Sequence, residues 1–288
     1  MRELYIKAYG KINLGLDVIR KREDGYHDLD MIMQSVGVYD DIIIKDTENI
    51  GEIKVETDRF VLENNKDNLA YRAAKLLMDE FDVKAGVSIY IYKRIPVAGG
   101  MAGGSSDCAA TLKGINELFE LGLSEEELRE RGVKLGADVP YCIMGGTAIA
   151  RGIGDELTKL PPAPQCHLII AKPPVSVSTA YVYGRIRPAE IEKRPDIEQI
   201  ANAIKDGDLK TMASLLYNVM EDVTVGDYPI IKDIEKVMLD NGALNSIMSG
   251  SGPTVFGIFD DEEKAKNAVS VLEKAGLTEQ LYLTEFVN

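Results

Sequence analysis

Apolar and polar residues alternate through much of the first hundred positions of the chain. In "KINLGLDVI", which occupies 11–19, an apolar residue stands at every second position from 12 to 18, and this period is typical of a half-buried strand. Lys11 and Asn13 therefore share the polar face of that strand. Further strands are expected at 3–8, 31–36, 41–45, 53–56 and 87–97.

Helical spacing replaces this alternation in other segments. In 69–81 apolar residues recur three and four positions apart, and Asp67 or Asn68 can cap the start of the helix. Ser124 and Glu127 match a capping box at the start of another helix. Further helices are expected at 105–121, 197–205, 209–218, 230–240 and 262–275.

The second half of the chain mixes both kinds of segment. "GGTAIARG", "CHLIIAKPP" and "LYLTEFV" are typical of strands, and the helical pattern before them breaks at Pro140. The segment 245–259 predicts two strands, or a strand and a helix, joined by a glycine-rich turn. The prolines of 160–164 favour a boundary there. We therefore expect a two-lobed α+β architecture with mixed and antiparallel sheets, divided into domains 1–159 and 160–288.

Composition places the chain among ordinary globular proteins. Its 288 residues are 45% hydrophobic and 28% charged, which suits one large domain or two halves. No apolar run approaches the roughly 20 residues that span a bilayer, and the start of the chain lacks the features of a signal peptide. We expect a soluble, cytoplasmic protein with no membrane partner. The sequence leaves the oligomeric state open.

Net charge and residue counts narrow the classes of function. The formal net charge of −14 argues against nucleic acid as a partner, because binding to its backbone requires a basic surface. Cys108, Cys142 and Cys166 are widely spaced, and the histidines are His27 and His167. This excludes a redox dithiol and a histidine-rich metal centre, and buried thiols are expected instead.

A glycine cluster interrupts the chain at 96–110, "PVAGGMAGGSSDCAA". A predicted strand precedes it and a helix with serines in its first turn follows it, which is the order found where a helix N-terminus binds an anion. The cluster lacks the lysine of a Walker loop, the spacing of a dinucleotide-binding loop and the Gly-x-Ser-x-Gly of a serine hydrolase. By itself it predicts a phosphate loop or a tightly packed turn equally well.

Three separated stretches together resemble the GHMP small-molecule kinases. "KINLGLDV" at 11–18, the glycine cluster and "SGSGPTVFG" at 249–257 match the three motifs of that family in order, and together they span almost the whole chain. "DGYHDL" and "LGADVPYC" most resemble the members that phosphorylate cytidine diphosphate methylerythritol. The resemblance implies the two-lobed GHMP kinase fold, with a left-handed βαβ crossover in the N-terminal lobe, an exception to the usual handedness.

The resemblance also implies a kinase that works with ATP and Mg²⁺. The terminal phosphoryl group of ATP would pass to the 2-hydroxyl of the methylerythritol moiety, in non-mevalonate isoprenoid precursor biosynthesis. Phosphoryl transfer requires mainly positioning and charge neutralisation. The amides of 99–106 and the dipole of the following helix would supply local attraction in an acidic protein. The alternatives are a kinase for homoserine or mevalonate, and a nucleotide-binding protein without a catalytic step.

The resemblance implies catalytic roles for two residues and a substrate contact for a third. Asp138 is the candidate general base, although its pattern alone fits a helix cap or a solvated carboxylate as well. Lys11 would lie near Asp138 and lower the cost of developing negative charge, and otherwise it is an ordinary strand-edge lysine. Asn13 would contact the substrate, and the alternative is a buried, hydrogen-bonded asparagine.

The cytidine end of the acceptor is assigned to aromatic residues. The resemblance implies that Tyr26 stacks on the base and that His27 hydrogen-bonds it, since a base gains roughly 1 to 3 kcal/mol by stacking on an aromatic ring. Tyr183 would form the second face of the sandwich, with Tyr181 close enough in sequence to compete for that role. Without the resemblance, Tyr26 and His27 suggest an aromatic lid over the core.

The nucleotide side involves the glycine cluster and two further segments. The implied ATP contacts are Asn65, Lys66, Pro96, Gly99, Gly100, Met101, Ala102, Gly103, Gly104, Ser105 and Ser106, and the third motif would support the site through Gly250, Ser251 and Gly252. Ser106 is a candidate ligand of Mg²⁺, with ATP oxygens and water completing the coordination. Met101 and Ala102 stand where family members commonly have Leu-Gly, so we expect an ordinary backbone conformation at Ala102 or a small shift of the loop.

Overall fold

The computed structural model describes residues 2–59 and 66–288. Its strands are β1 Glu3–Lys21, β2 His27–Thr47, β3 Ile53–Thr57, β4 Gly86–Tyr92, β5 Thr147–Gly152, β6 Glu156–Lys159, β7 His167–Lys172, β8 Tyr217–Asn218, β9 Asn245–Met248, β10 Val255–Phe259 and β11 Gln280–Thr284. Its α-helices are α1 Leu69–Glu80, α2 Gly103–Leu118, α3 Glu125–Gly132, α4 Val139–Met144, α5 Thr179–Arg185, α6 Ile197–Lys205, α7 Leu209–Ser214, α8 Glu221–Asp227, α9 Ile230–Asp240 and α10 Glu262–Ala275.

The chain divides into two compact units, each assembled from separate segments. Unit one consists of Met1–Gly10, Val38–Ile95 and Ala102–Met144, and unit two consists of Lys11–Gly37, Pro96–Met101 and Gly145–Asn288. The strands β1 and β2 and the glycine cluster therefore contribute residues to both units. The predicted domains divide the chain at one position, between residues 159 and 160, and that division stays a prediction.

Unit one contains strands in the order β3-β4-β2-β1. β2 pairs with β4 antiparallel, whereas β3 pairs with β4 in parallel. The parallel pair is joined through α1, whose start is capped by the Asn68 side chain. The handedness of this β3-α1-β4 crossover stays a prediction. The core of the unit includes Ile42, Ile44, Ala70, Ala73, Leu77, Ile89, Leu112 and Ile115.

Unit two contains a four-stranded antiparallel sheet in the order β11-β7-β10-β9. Helix α9 packs closely on it, because a Cβ at Gly257 of β10 would lie 2.6 Å from Met238 Sδ. In the same unit β2 pairs antiparallel with β5, and β1 pairs in parallel with β8 at Gly15 and Leu16. The strand that carries Lys11 is therefore bonded to the short strand β8.

Several predicted strands are longer in the structure. The strands expected at 3–8 and 11–19 form one strand, β1, and those expected at 31–36 and 41–45 form one strand, β2. In β2 the alternation of buried and partly exposed residues continues through the intervening positions, so nothing ends the strand there. The segment 245–259 contains two strands, β9 and β10, rather than a strand and a helix.

The helices follow the predictions in part. The capping box of Ser124 and Glu127 is confirmed at the start of α3, whereas the helix expected at 209–218 ends at Ser214. Pro140 does not end a helix but occupies the second position of α4, where a proline is tolerated because first-turn N–H groups have no helical partner. Elements α4, β6, α5, β8 and α8 were not predicted. Among the described residues, no helix is long and apolar enough to cross a membrane.

Candidate active site

The glycine cluster uses left-handed backbone at several positions. Ala98, Gly100 and Ala102 have φ angles of +52°, +76° and +57°. Ala102, for which an ordinary conformation or a small shift of the loop was expected, takes the left-handed conformation despite its methyl group. That conformation costs an L-residue about 1–2 kcal/mol. The chain therefore reaches α2 by a strained path.

Helix α2 begins without a side-chain cap. Its N-cap is Ala102, and no side chain in the described part of the chain caps it, whereas Asn68 and Asp261 cap α1 and α10. The first amides of a helix have no partner within the helix, and the helix dipole makes this end positive. Gly104 is exposed, and a Cβ there would lie 3.7 Å from Leu69 Cδ1, an ordinary contact distance. An anion therefore has room to approach this end of α2.

The segment that carries Asp138 lies beside the first turn of α2 in unit one. A Cβ at Gly136 would lie 3.8 Å from Ser105 Oγ. Asp138 is partly exposed and immediately precedes α4, and its main-chain carbonyl accepts a hydrogen bond from the N–H of Cys142 at 3.0 Å. Unit one therefore brings together an uncapped helix N-terminus and a segment with a partly exposed carboxylate.

Ser106 is buried and attached to the main chain. Its hydroxyl donates a hydrogen bond to the carbonyl of Tyr9, which joins α2 to β1 within unit one. The hydroxyl oxygen keeps lone pairs that a cation can use, although the residue is only 3% exposed. Within 2–59 and 66–288, no group of three or more His, Cys, Asp or Glu residues is arranged to hold a metal ion.

A buried charge cluster, Asp40 with Lys93 and Asp107, holds the chain before and after the four glycines of 99–104. We call it cluster one. Lys93 Nζ forms ion pairs with Asp40 and, at 2.6 Å, with Asp107. Asp40 also accepts hydrogen bonds from the main-chain N–H groups of Arg94 and Ile95, at 2.5 and 2.8 Å. Because these two residues precede the glycines and Asp107 follows them in α2, cluster one fixes both ends to β2 within unit one.

Burial controls the ionisation of cluster one. Burial raises the pKa of Asp107 to about 8; the charge of Lys93 opposes the rise and the charge of Asp40 adds to it. The pKa of Lys93 is also raised, since burial favours the neutral amine but the two carboxylates outweigh it. Asp107 Oδ1 is buried without a hydrogen-bond partner among the described residues. None of these residues was predicted, because a local pattern does not reveal that a charged side chain is buried.

Lys11 and Asn13 are buried next to each other in unit two. Lys11 Nζ donates a hydrogen bond to Asn13 Oδ1 at 2.8 Å, and the Lys11 N–H donates to the carbonyl of Met101 at 3.1 Å. Asn13 Nδ2 lies 3.3 Å from Met31 Sδ. Lys11 is 5% exposed and Asn13 fully buried, so Lys11 is not an ordinary strand-edge lysine. The predicted catalytic lysine and the end of the glycine loop 96–101 are therefore joined.

The third-motif loop, 249–252, packs against the glycine loop in unit two. A Cβ at Gly100 would lie 2.2 Å from the carbonyl oxygen of Ser249, and a Cβ at Gly250 would lie 2.9 Å from the carbonyl oxygen of Gly100. The same position at Gly250 is 3.6 Å from Asn13 Oδ1. Two main chains in this close contact leave no room for side chains. Tight packing against the third-motif loop is therefore enough to explain why residue 100 is a glycine.

Gly99, Ser251 and Gly252, which flank the contact between the two loops, are also buried. A Cβ at Gly99 would lie 2.9 Å from Pro96 Cβ, so the turn itself requires glycine there. The Ser251 hydroxyl shares a hydrogen bond of 2.9 Å with that of Thr179. Gly252 has a φ of +82°, which favours glycine. These residues shape the loops from within unit two.

The predicted cytidine residues are only partly together. The rings of His27 and Tyr183 stack with centroids 5.0 Å apart and planes at 29°, whereas the Tyr181 hydroxyl bonds Asp227 at 3.0 Å. Tyr183, rather than Tyr181, is therefore the aromatic partner of His27. Tyr26 is 59% exposed. Burial, and secondarily the charge of Lys21, lower the pKa of His27, which keeps its imidazole neutral at pH 7.

The remaining predicted nucleotide contacts lie at the start of α1 and in α2. Asn65 falls outside the described residues. Lys66 is exposed and lies just before α1. A Cβ at Gly103 would lie 3.1 Å from Ile95 Cγ2, so this glycine lets α2 begin against the end of the segment after β4.

Comparisons with known proteins agree along the whole chain. A family model described as "GHMP kinases N terminal domain" matches residues 68–146, and one described as "GHMP kinases C terminal" matches residues 199–277. The 4-diphosphocytidyl-2-C-methyl-D-erythritol kinase of Lachnoclostridium phytofermentans is 51% identical over 281 residues, which cover 98% of this chain and 96% of that protein.

Solved structures with the same fold carry related names. A crystal structure of 4-(cytidine 5'-diphospho)-2C-methyl-D-erythritol kinase matches with a TM-score of 0.83 at 29% identity and covers 99% of this chain and 100% of its own. A homoserine kinase from Cytophaga hutchinsonii matches with a TM-score of 0.78 at 20% identity and covers 99% and 95%, which is a likeness of fold alone. With both family models matched in order and a relative this similar along nearly its whole length, the chain belongs to the GHMP kinases.

Proposed function

We propose that this chain transfers the terminal phosphoryl group of ATP to the 2-hydroxyl of 4-diphosphocytidyl-2-C-methyl-D-erythritol. The observation that carries the proposal is the 51% identity to the kinase of that name across 98% of this chain. The uncapped start of α2 and the adjacent segment with Asp138 support it, since they combine an anion site with a carboxylate in one unit. The reaction belongs to non-mevalonate isoprenoid precursor formation, and a cytoplasmic location stays a prediction.

The proposed mechanism relies on positioning and charge neutralisation. Main-chain N–H groups at the start of α2 bind phosphate oxygens, helped by the positive end of the helix dipole. Asp138 accepts the proton of the acceptor hydroxyl as that oxygen attacks the terminal phosphorus of ATP, whose bond to the bridging oxygen breaks to release ADP. Lys11, which Asn13 orients through its hydrogen bond of 2.8 Å, stabilises the negative charge on the transferred group. Bound Mg²⁺ would neutralise charge on the phosphates, and Ser106 is the candidate protein ligand.

Recognition of the cytosine ring is assigned to His27, Tyr183 and Tyr26. Because its pKa is lowered, His27 is neutral and has one donor and one acceptor nitrogen, which suits the edge of an uncharged base. We expect His27→Ala and Tyr26→Ala to raise the KM for the acceptor about 10-fold or more, with the KM for ATP nearly unchanged. Steady-state kinetics with each substrate varied in turn measures this. Equal effects on both constants would contradict a cytidine site.

A panel of acceptors tests the proposed reaction. ADP release is measured with 4-diphosphocytidyl-2-C-methyl-D-erythritol, homoserine and mevalonate at equal concentrations. We expect turnover with the cytidine substrate and less than about one hundredth of it with the others, since a site built to hydrogen-bond a base leaves those groups unpaired with smaller acceptors. Turnover with homoserine or mevalonate, and none with the cytidine substrate, would show that the proposed substrate is wrong. ATP binding without turnover of any acceptor would favour the nucleotide-binding alternative.

Asp138→Asn tests the general base. We expect ATP binding to persist and turnover to fall about 100- to 10,000-fold, because the neutral amide accepts no proton. Asp261→Asn is the matched control: it removes the same charge at the N-cap of α10, where asparagine caps as well as aspartate. Titration calorimetry with a nonhydrolysable ATP analogue and steady-state turnover measure the two effects. Wild-type turnover in the Asp138 variant would move the base to another residue.

A further inference from the structure

Asn218 uses its whole carboxamide inside unit two. The side chain is almost fully buried, with 1% of the residue exposed. Its Nδ2 donates hydrogen bonds of 2.8 Å to the carbonyls of both Met248 and Gly250, and its Oδ1 accepts one of 3.0 Å from the N–H of Met220. A buried amide with both hydrogens committed to the main chain is a fixed structural element.

These bonds hold the chain at the point where it leaves the sheet. Met248 ends β9, and Gly250 is the second residue of the third-motif loop, with a φ of +57°. Because β9 is the edge strand of its sheet and Gly250 lies beyond its end, the carbonyls on either side of Ser249 take donors from outside the sheet. The two hydrogens of one Asn218 amide supply both. Asn218, the last residue of β8, therefore sets the position of the loop.

The third-motif loop in turn contacts the glycine loop directly. Ser249 Oγ donates a hydrogen bond of 3.1 Å to the carbonyl of Gly100. The main chains of Gly250 and Gly100 approach so closely that a Cβ on either would overlap the other loop. Because packed main chains transmit a displacement rather than absorbing it, a shift of 249–252 would shift Gly100 as well.

A second charge cluster supports the same loop. We call Glu221, Lys232 and Glu235 cluster two. Lys232 Nζ contacts Glu221 and lies 2.8 Å from Glu235 Oε2. Glu221 Oε2 accepts a hydrogen bond of 2.7 Å from the N–H of Met248. Two side chains of segment 218–221 therefore hold the start of the third-motif loop. Glu221 accepts from the N–H of Met248, and Asn218 donates to the carbonyls of Met248 and Gly250.

The strand β8 links these contacts to the predicted catalytic strand. Asn218 is opposite Leu16 in the parallel pairing of β8 with β1, and the N–H of Val219 donates to the Leu16 carbonyl at 3.1 Å. The strand β1 carries Lys11, whose N–H bonds Met101. One buried amide thus connects the strand with the candidate lysine, the third-motif loop and the glycine loop within unit two.

We propose that Asn218 is a positioning residue of the proposed kinase: it holds the third-motif loop against Gly100, so that the glycine loop keeps the geometry required for phosphoryl transfer. This inference rests on the proposed function. Asn218 touches no substrate in the proposal and acts through the two loops. Its loss affects the alignment of the reacting groups more than the binding of either substrate.

Kinetics of Asn218→Asp and Asn218→Ala test the proposal. The aspartate keeps the acceptor for Met220 and replaces both donors by oxygen, whereas the alanine removes all three contacts. We expect kcat to fall about 10- to 100-fold in both variants, with the KM values for ATP and acceptor changed less than about threefold. In the aspartate variant, activity relative to wild type should recover partly as pH falls, because protonation restores one donor.

Asn245→Ala is the matched control. Asn245 also bonds the main chain in unit two, through Nδ2 to the carbonyl of Ala213 at 2.7 Å, but it lies at the far end of β9 from the third-motif loop. We expect this variant to lose thermal stability comparably and to keep kcat within about twofold. A wild-type kcat in both Asn218 variants, or an equal loss in Asn245→Ala, would overturn the positioning role. No turnover by the wild type would instead refute the proposed function.

If the Asn218 variants do not fold, hydrogen exchange of the wild-type protein tests whether the two loops are coupled. A nonhydrolysable ATP analogue is added, and exchange is compared in peptides covering 96–106 and 246–256. We expect slower exchange in both peptides, since the loops are in main-chain contact. Protection of 96–106 with unchanged exchange in 246–256 would show that the loops move independently and would overturn the inference.

Discussion

Cluster one and cluster two combine the same groups, a lysine between two carboxylates, and each holds the chain at the start of a glycine-containing loop. Asp40 accepts hydrogen bonds from the main chain just before residue 96, and Glu221 accepts one just before residue 249. In each cluster one carboxyl oxygen, of Asp107 or of Glu235, is buried without a hydrogen-bond partner among the described residues. Burial raises the pKa of each of these two carboxyls to about 8.

The clusters differ in the exposure of the lysine. The Lys93 side chain is 4% exposed, and that of Lys232 is 51% exposed. A buried ammonium depends entirely on its carboxylate partners, whereas a half-exposed one keeps water as a partner. The difference teaches that all three charged groups of cluster one depend on one another, while in cluster two only the carboxylates are buried and the lysine also contacts water.

Removing the buried lysine should have the largest effect. Lys93→Met removes the cation that faces two buried carboxyl groups in unit one, and we expect the free energy of unfolding to fall by about 3–5 kcal/mol. Equilibrium urea unfolding at pH 7 measures the loss. Adding Asp107→Asn to the Lys93 variant should change this loss little at pH 7, because burial already keeps the Asp107 carboxyl mostly protonated there. A loss below about 1 kcal/mol would mean that Lys93 is no more important than a surface lysine.

The next largest effect should come from removing either carboxyl group with a raised pKa, which changes how stability depends on pH. A carboxyl whose pKa is raised on folding binds a proton that the unfolded chain releases, so its contribution is present below the unfolded pKa near 4 and is lost as pH rises toward 8. Asp107→Asn and Glu235→Gln should each make the decline of stability between pH 6 and pH 8 shallower, by up to about 1.4 kcal/mol per pH unit. Thermal unfolding across this range measures the slopes, and parallel slopes for wild type and both variants would contradict the raised pKa values.

Removing the half-exposed lysine should have the smallest effect. We expect Lys232→Met to lower the free energy of unfolding by less than Lys93→Met does, about 1–2 kcal/mol, because the ammonium is half exposed although its carboxylate partners are buried. The same urea experiment at pH 7 compares it with Lys93→Met. Equal losses in the two variants would show that exposure of the lysine does not distinguish the clusters.

The sequence predicted the elements whose signals are local. The capping box of Ser124 and Glu127 lies within four residues, and the cap of α1 by Asn68 depends on the next turn only. Strand β8 has two residues and exists because β1 pairs with it, so no pattern of its own could reveal it. The prediction divided the long strand β2 at 37–40, where the polar Asp40 is buried by partners from 93–95.

The same limit applies to the candidate site. Lys11, Asn13 and Asp138 were named through motifs, which record chemistry directly in residue types. Asp40 and Asn218 carry no such motif: each is buried, and each takes its partners from segments dozens of positions away. Whether a polar group is buried against distant segments depends on the whole fold. Only the structure therefore identifies the residues that hold the loops in place.

The interleaving of the two units has a consequence for protein engineering. The chain passes from one unit to the other after residues 10, 37, 95, 101 and 144, so no single cut separates the two units. Chimeras with a homologue should tolerate exchange best when whole sets of segments are swapped together. A junction at residue 159 would instead combine parts of unit two from different parents, and mismatches would then arise between buried side chains that evolved separately.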